Sequence, residues 1–140
     1  MDSPLENAIT ITRALAHPAR LRVLAVLSTG ELCVCQIIEV LGLAPSTVSA
    51  HLRELRRAGL TVERKQGRWI YVALAEEGST STWTRRVLED LEGDEQTAAD
   101  ERLASELRLL PVEILCRHGL DAARARVSGG ALKEAAHDRA

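Results

Sequence analysis

A mainly α-helical chain carrying one small β-hairpin is the fold class that this sequence predicts, and three observations predict it. Apolar residues recur at three- and four-residue spacing through most of the 140 residues, the period of helices that bury one side. One stretch alone, LTVERKQGRWIYVAL from Leu60 to Leu74, changes to alternation around a Gln66-Gly67 turn. Aromatic residues make up only 2% of the chain, so the core falls to Leu, Val, Ile and Ala, which suit helix packing better than a large sheet.

The elements follow in order. Residues 5–15 form a short helix with Ile9, Ile11, Thr12 and Leu15 as its apolar surface; its weak capping implies reliance on tertiary or subunit packing. His17-Pro18 breaks it, and Pro18 suits the first position of the next helix, PARLRVLAVLS. Leu21, Val23, Leu24 and Leu27 face inward there, and Arg20 and Arg22 read as solvated. Glu31 opens a third helix, LCVCQIIEVLG, stopped by Gly42. A short glycine-containing turn leads to LAPSTVSAHLRELRR, residues 43–57, with Pro45 in its first turn and Gly59 beyond its end. Two helices joined in this way are a helix-turn-helix, and the hairpin that follows is a wing. Later helices are predicted over 76–91 and 97–110, followed by a short apolar segment from Pro111 ended by Gly119 and one or two helical turns at 121–126. The domain reading is 1–92 for DNA binding and dimerisation, 93–127 for a helical extension, and 128–140 for a mobile tail.

The helix over 43–57 carries the functional signal. Val48, Leu52 and Leu55 line one side, while the other shows Ser46, Thr47, Ser49, Ala50 and Arg53. Short hydroxyls and a methyl let a helix sit deep in a major groove, with Arg reaching guanine or phosphate. In the wing, Arg64, Lys65 and Arg68 form a basic tip, and Lys65 with Arg68 is the phosphate anchor. The net charge of −2 hides an uneven distribution. Through residue 75, 9 Lys/Arg stand against 6 Asp/Glu; beyond it, 9 stand against 14. His51 reads as a packed, hydrogen-bonded residue, and Trp69 and Tyr71 as hairpin packing. No apolar run approaches the roughly 20 residues of a membrane span, and no secretory signal opens the chain. The expectation is a cytoplasmic protein whose three cysteines are reduced thiols, with no membrane partner and no permanent cofactor. No grouping of Ser, His and Asp and no phosphate-cradling glycine loop suggests an enzyme.

In register over residues 12–75, the segments ALAHPARLRVLAVL, ELCVCQI, STVSAHLRELRRAGL and RKQGRWIYVAL resemble the ArsR/SmtB family of winged-helix, metal-responsive repressors. The ELCVC segment resembles the arsenic- and antimony-sensing branch, and also a cadmium/lead-sensing branch with the same cysteine pair. The resemblance implies a homodimer on palindromic, double-stranded operator DNA, released when As(III) or Sb(III) as inducer binds cysteine thiolates. It assigns Cys33 and Cys35 as ligands. The chain departs from the branch at Ile38, where a third thiol often stands, and at Gln36, where an acidic residue is usual. A third sulfur, if the site needs one, has Cys116 as its only candidate; otherwise Cys116 packs behind Ile114 and Leu115. Residues two apart on an ideal helix point about 200° apart, so ligation at Cys33 and Cys35 is expected to distort the start of their helix. Trp83, Val87, Leu88 and Leu91 are the expected dimer surface, with closure of the monomer core as the alternative. The alternatives are a Cd, Pb or Zn sensor and a thiol-oxidation sensor, the latter through a Cys33–Cys35 or Cys35–Cys116 disulfide.

Overall fold

A computed structural model of the chain describes residues 3–78 and 80–137. The elements are α1 (Pro4–Leu15), α2 (Pro18–Leu27), β1 (Leu32–Cys33), α3 (Val34–Leu41), α4 (Pro45–Arg57), β2 (Thr61–Gln66), β3 (Trp69–Leu74), α5 (Thr80–Asp90), α6 (Glu95–Leu107), α7 (Val112–His118) and α8 (Leu120–His137). The mainly helical fold with a winged helix-turn-helix is as the sequence predicts.

The hairpin gains a third strand. β1 pairs antiparallel with β3, so the sheet order is β1-β3-β2, with Leu32 opposite Val72 and Cys33 opposite Tyr71. The expected helix from Leu32 therefore starts two residues late, at Val34. Two residues are too short to show a strand period, which is why the sequence concealed this element. The wing turn is Gly67-Arg68, one residue beyond the expected Gln66-Gly67, because Gln66 still pairs with Trp69. Gly67 takes φ 61° there, the left-handed region a tight hairpin turn needs.

α1 is well capped, contrary to expectation. Ser3 Oγ accepts the Glu6 N–H at 3.1 Å, and Glu6 Oε2 accepts the Ser3 N–H at 2.8 Å, a reciprocal capping box. Within α1 only Ile11 and Ala14 are buried, leaving Leu5 and Ile9 exposed. Gly42 ends α3 in the left-handed region at φ 66° and turns the chain into α4. Val48, Leu52 and Leu55 bury the inner side of α4 as predicted.

The two arginines of α2 are not solvated. Arg20 donates to the carbonyls of Ala14 (2.8 Å) and Arg13 (2.9 Å), capping α1. Arg22 makes a two-pronged bond to Asp100 of α6 at 2.8 and 3.0 Å and donates to Val40 O of α3. Asp100 is only 3% exposed. Its two bonds raise the Arg22 pKa above its ordinary value, against the opposing effect of burial. α6 and α7 pack against α3, and α6 also against α2. Ala104, Leu107, Leu110, Leu115 and Ala123 enter the same core as Leu24, Ile37 and Leu55. α8 continues to His137 where only 121–126 were expected as helical turns. The expected mobile tail thus coincides with helix through residue 137, and 138–140 lie outside the described residues.

Candidate thiol site and nucleic-acid interface

β1 ends on Cys33, which is the N-cap of α3; Cys35 lies in the first turn of α3, and Cys116 lies on α7. Folding of α7 onto α3 brings the three sulfur atoms within 4.8 Å of one another. Cys33 is buried and free, and Cys35 and Cys116 are half-buried. The expectation of three separate thiols is corrected in one respect: Cys35 and Cys116 form a disulfide, with their Cα atoms 5.3 Å apart, inside the usual range for such bonds. The expectation that Cys33 and Cys35 diverge on one helix is corrected too. Cys33 is extended (φ −68°, ψ 149°) and outside the helix, so its sulfur reaches Cys35 with α3 intact.

Sulfur alone makes up this cluster. In the reduced protein three thiolates converging from two sides suit a soft, three-coordinate thiophilic ion better than a hard cation. Among the described residues no other group of three His, Cys, Asp or Glu side chains is close enough to hold an ion. His118 is exposed and outside the cluster.

The side chains expected to read DNA are all on the surface. Ser46, Thr47, Ser49, Ala50 and Arg53 are exposed along α4, and Lys65 and Arg68 are exposed on the wing. A groove of about 380 Å³ runs between α4 and the wing, lined by Ser49, Arg53, Arg68 and Trp69 on its flanks and by Cys33 and Cys35. Arg64 departs from the expected basic tip. Its guanidinium bonds both carboxylate oxygens of Glu31 and the Gln66 side chain, and it lies 4.5 Å over the Tyr71 ring. The pairing holds the Glu31 carboxyl below its ordinary pKa. Arg56 is paired likewise with Glu63 at 3.0 Å. His51 is half-buried, 3.3 Å from Arg20 Nη1 and 4.3 Å from the His17 ring, as a packed histidine should be. Burial first, then the neighbouring His17 and Arg20, lower its pKa.

Residues 17–61, which include the whole helix-turn-helix, match the family model of bacterial regulatory proteins of the arsR family. The arsenic resistance transcriptional regulator ArsR2 of Pseudomonas putida is 34% identical over 95 residues, covering 66% of this chain and 81% of that protein. The chain belongs to the ArsR family. This ArsR-family chain is also 37% identical over 76 residues to a cadmium resistance transcriptional regulatory protein CadC homolog of Staphylococcus aureus, covering 54% of the chain and 62% of the relative. Among solved structures it is similar to a homodimeric winged helix-turn-helix DNA-binding domain from Mycobacterium bovis, with 28% identity and a TM-score of 0.55. That match covers 67% of this chain and 93% of the other. The Pseudomonas putida and Staphylococcus aureus relatives are both named as transcriptional regulators.

Sequence reasoning missed two contributors to the site. β1 was hidden by its length. Gln36, noted only as a departure from the family's pattern, is buried at 4% exposure against the thiol-bearing segment; the placement of an uncharged amide beside the cysteines was its one signal.

Proposed function

We propose that this chain is an operator-binding repressor whose grip is released when Cys33, Cys35 and Cys116 capture As(III) or Sb(III). The observation that carries the reading is the convergence of three sulfurs within 4.8 Å at the junction of β1, α3 and α7. β1 is hydrogen-bonded to the wing strand β3, and α3 packs on α4, so the thiols stand at the root of both DNA-contacting parts. Ligation ties α7 to β1 and to the first turn of α3, and a shift there reaches α4 and the wing together. Ser46, Thr47, Ser49, Ala50 and Arg53 read base edges, and Lys65 and Arg68 hold phosphates, from the cytoplasmic side where the genome lies.

The repressor acts as a homodimer in this reading. α5 buries only Thr84 on its own chain and leaves Trp83 39% exposed, with Val87 and Leu88 half-buried beside it and Leu91 half-buried just beyond its end. Leu5 and Ile9 of α1 add exposed apolar surface. A two-fold pair doubles the contacts of a single small helix-turn-helix on a palindrome.

A second reading has support in the Cys35–Cys116 disulfide. Hydrogen peroxide would take two electrons and two protons from these thiols and leave as two waters, so the same site would answer oxidation. Two titrations of a fluorescent operator complex separate the readings: metal ions in reducing buffer, and hydrogen peroxide after the reductant is removed. Release by As(III) or Sb(III), and not by Cd(II) or Zn(II), supports metalloid sensing. Release by peroxide alone supports the redox reading.

A further inference from the structure

Gln36 joins the two halves of the thiol cluster. Its Oε1 accepts the N–H of Cys33 at 2.8 Å, and its Nε2 donates to the carbonyl of Leu107 at 3.4 Å. Leu107 is the last residue of α6 and fully buried, and its carbonyl also takes the N–H of Leu110 at 3.1 Å. This corner turns the chain from α6 into α7 and so sets where Cys116 falls. At the third position of α3, Gln36 also closes the helix N-terminus, a task that Glu performs equally well because it needs only an acceptor. A carboxylate cannot donate to Leu107. An amide alone serves both sides.

We propose that Gln36 is a positioning residue that fixes the C-terminal thiol against the other two, and thereby makes this a three-sulfur site. The proposal rests on the metalloid-sensor reading for its ligand and on hydrogen-bond geometry for its residue. Residues that orient ligands from behind typically contribute 10- to 100-fold in ion affinity.

The test uses the full reduced chain and the variants Gln36→Glu, which keeps the acceptor, and Gln36→Met, which keeps the bulk without either bond. Cys116→Ser is the two-thiol reference. Two signals are read: the near-ultraviolet thiolate-to-arsenic absorption on arsenite titration, and the rate of Cys35–Cys116 closure by diamide. In the latter the two thiols join while their hydrogens reduce the N=N bond to a hydrazine. Both Gln36 variants should move toward the Cys116→Ser spectrum, bind arsenite at least about tenfold more weakly, and close the disulfide more slowly. Wild-type spectra, affinity and closure rate in both variants would overturn the proposal. Wild-type protein that takes up no arsenite would defeat the sensor reading, and the closure rate alone would then decide the role of Gln36.

Discussion

Cys33 stands directly across the sheet from Tyr71, one strand pair away from the wing's outer strand. A sulfur in the thiol cluster and a residue of the wing therefore belong to one hydrogen-bonded ladder. A displacement at Cys33 should therefore reach the wing without first passing through the helix-turn-helix. The Tyr71 ring in turn supports Arg64, which is held by Glu31 just ahead of β1.

The two kinds of DNA contact should separate under mutation. Arg53→Ala should cost about 1–3 kcal/mol on the operator and relax base preference, whereas Lys65→Ala should weaken all sequences alike and lower the salt slope by about one. Anisotropy titrations on operator and random duplexes at several salt concentrations check this.

Cys33 and Cys35 line the groove between α4 and the wing, so bound DNA should cover the approach to them. Alkylation of Cys35 by iodoacetamide, followed by mass spectrometry in reducing conditions, should slow when operator is added and should not slow with an equal amount of free phosphate.

Asp100 ties α6 to α2 through Arg22 in a nearly buried pair. Asp100→Ala leaves the guanidinium without its partner, though still 22% exposed to water, and should cost about 2–3 kcal/mol. The midpoint of urea unfolding measures the loss.

Stability should also fall on acidification through His51. Its folded pKa lies below its ordinary 6.5, so the unfolded chain binds the extra proton first. No penalty exists well above pH 6.5; it grows as pH falls below that value and levels off below the folded pKa. Urea midpoints between pH 7.5 and 5.5 should decline less in His51→Gln than in the wild type.

Much of this was legible in the chain. The α4 stripe of Val48, Leu52 and Leu55 and the alternation around the wing are periodic, so one buried face writes itself into the sequence. The cysteines were legible as chemistry, and Cys116 was named as a partner only because it is the one cysteine left; that it reaches Cys35 across 81 residues depends on how α6 and α7 dock. Arg22 and Arg64 looked like free charges because ion pairing is decided by partners distant in sequence, Asp100 and Glu31. The extent of α8 was hidden by Gly129-Gly130, whose low helix propensity argued for an end where the helix continues.

Soft-ion capture at the cluster should loosen the hold on DNA, and the Cys33→Ser/Cys35→Ser double variant on a labelled operator in reducing buffer tests this. This variant should bind operator and stay bound as arsenite is added, while the wild type should dissociate. Release of the double variant at the same arsenite concentration as the wild type would contradict it.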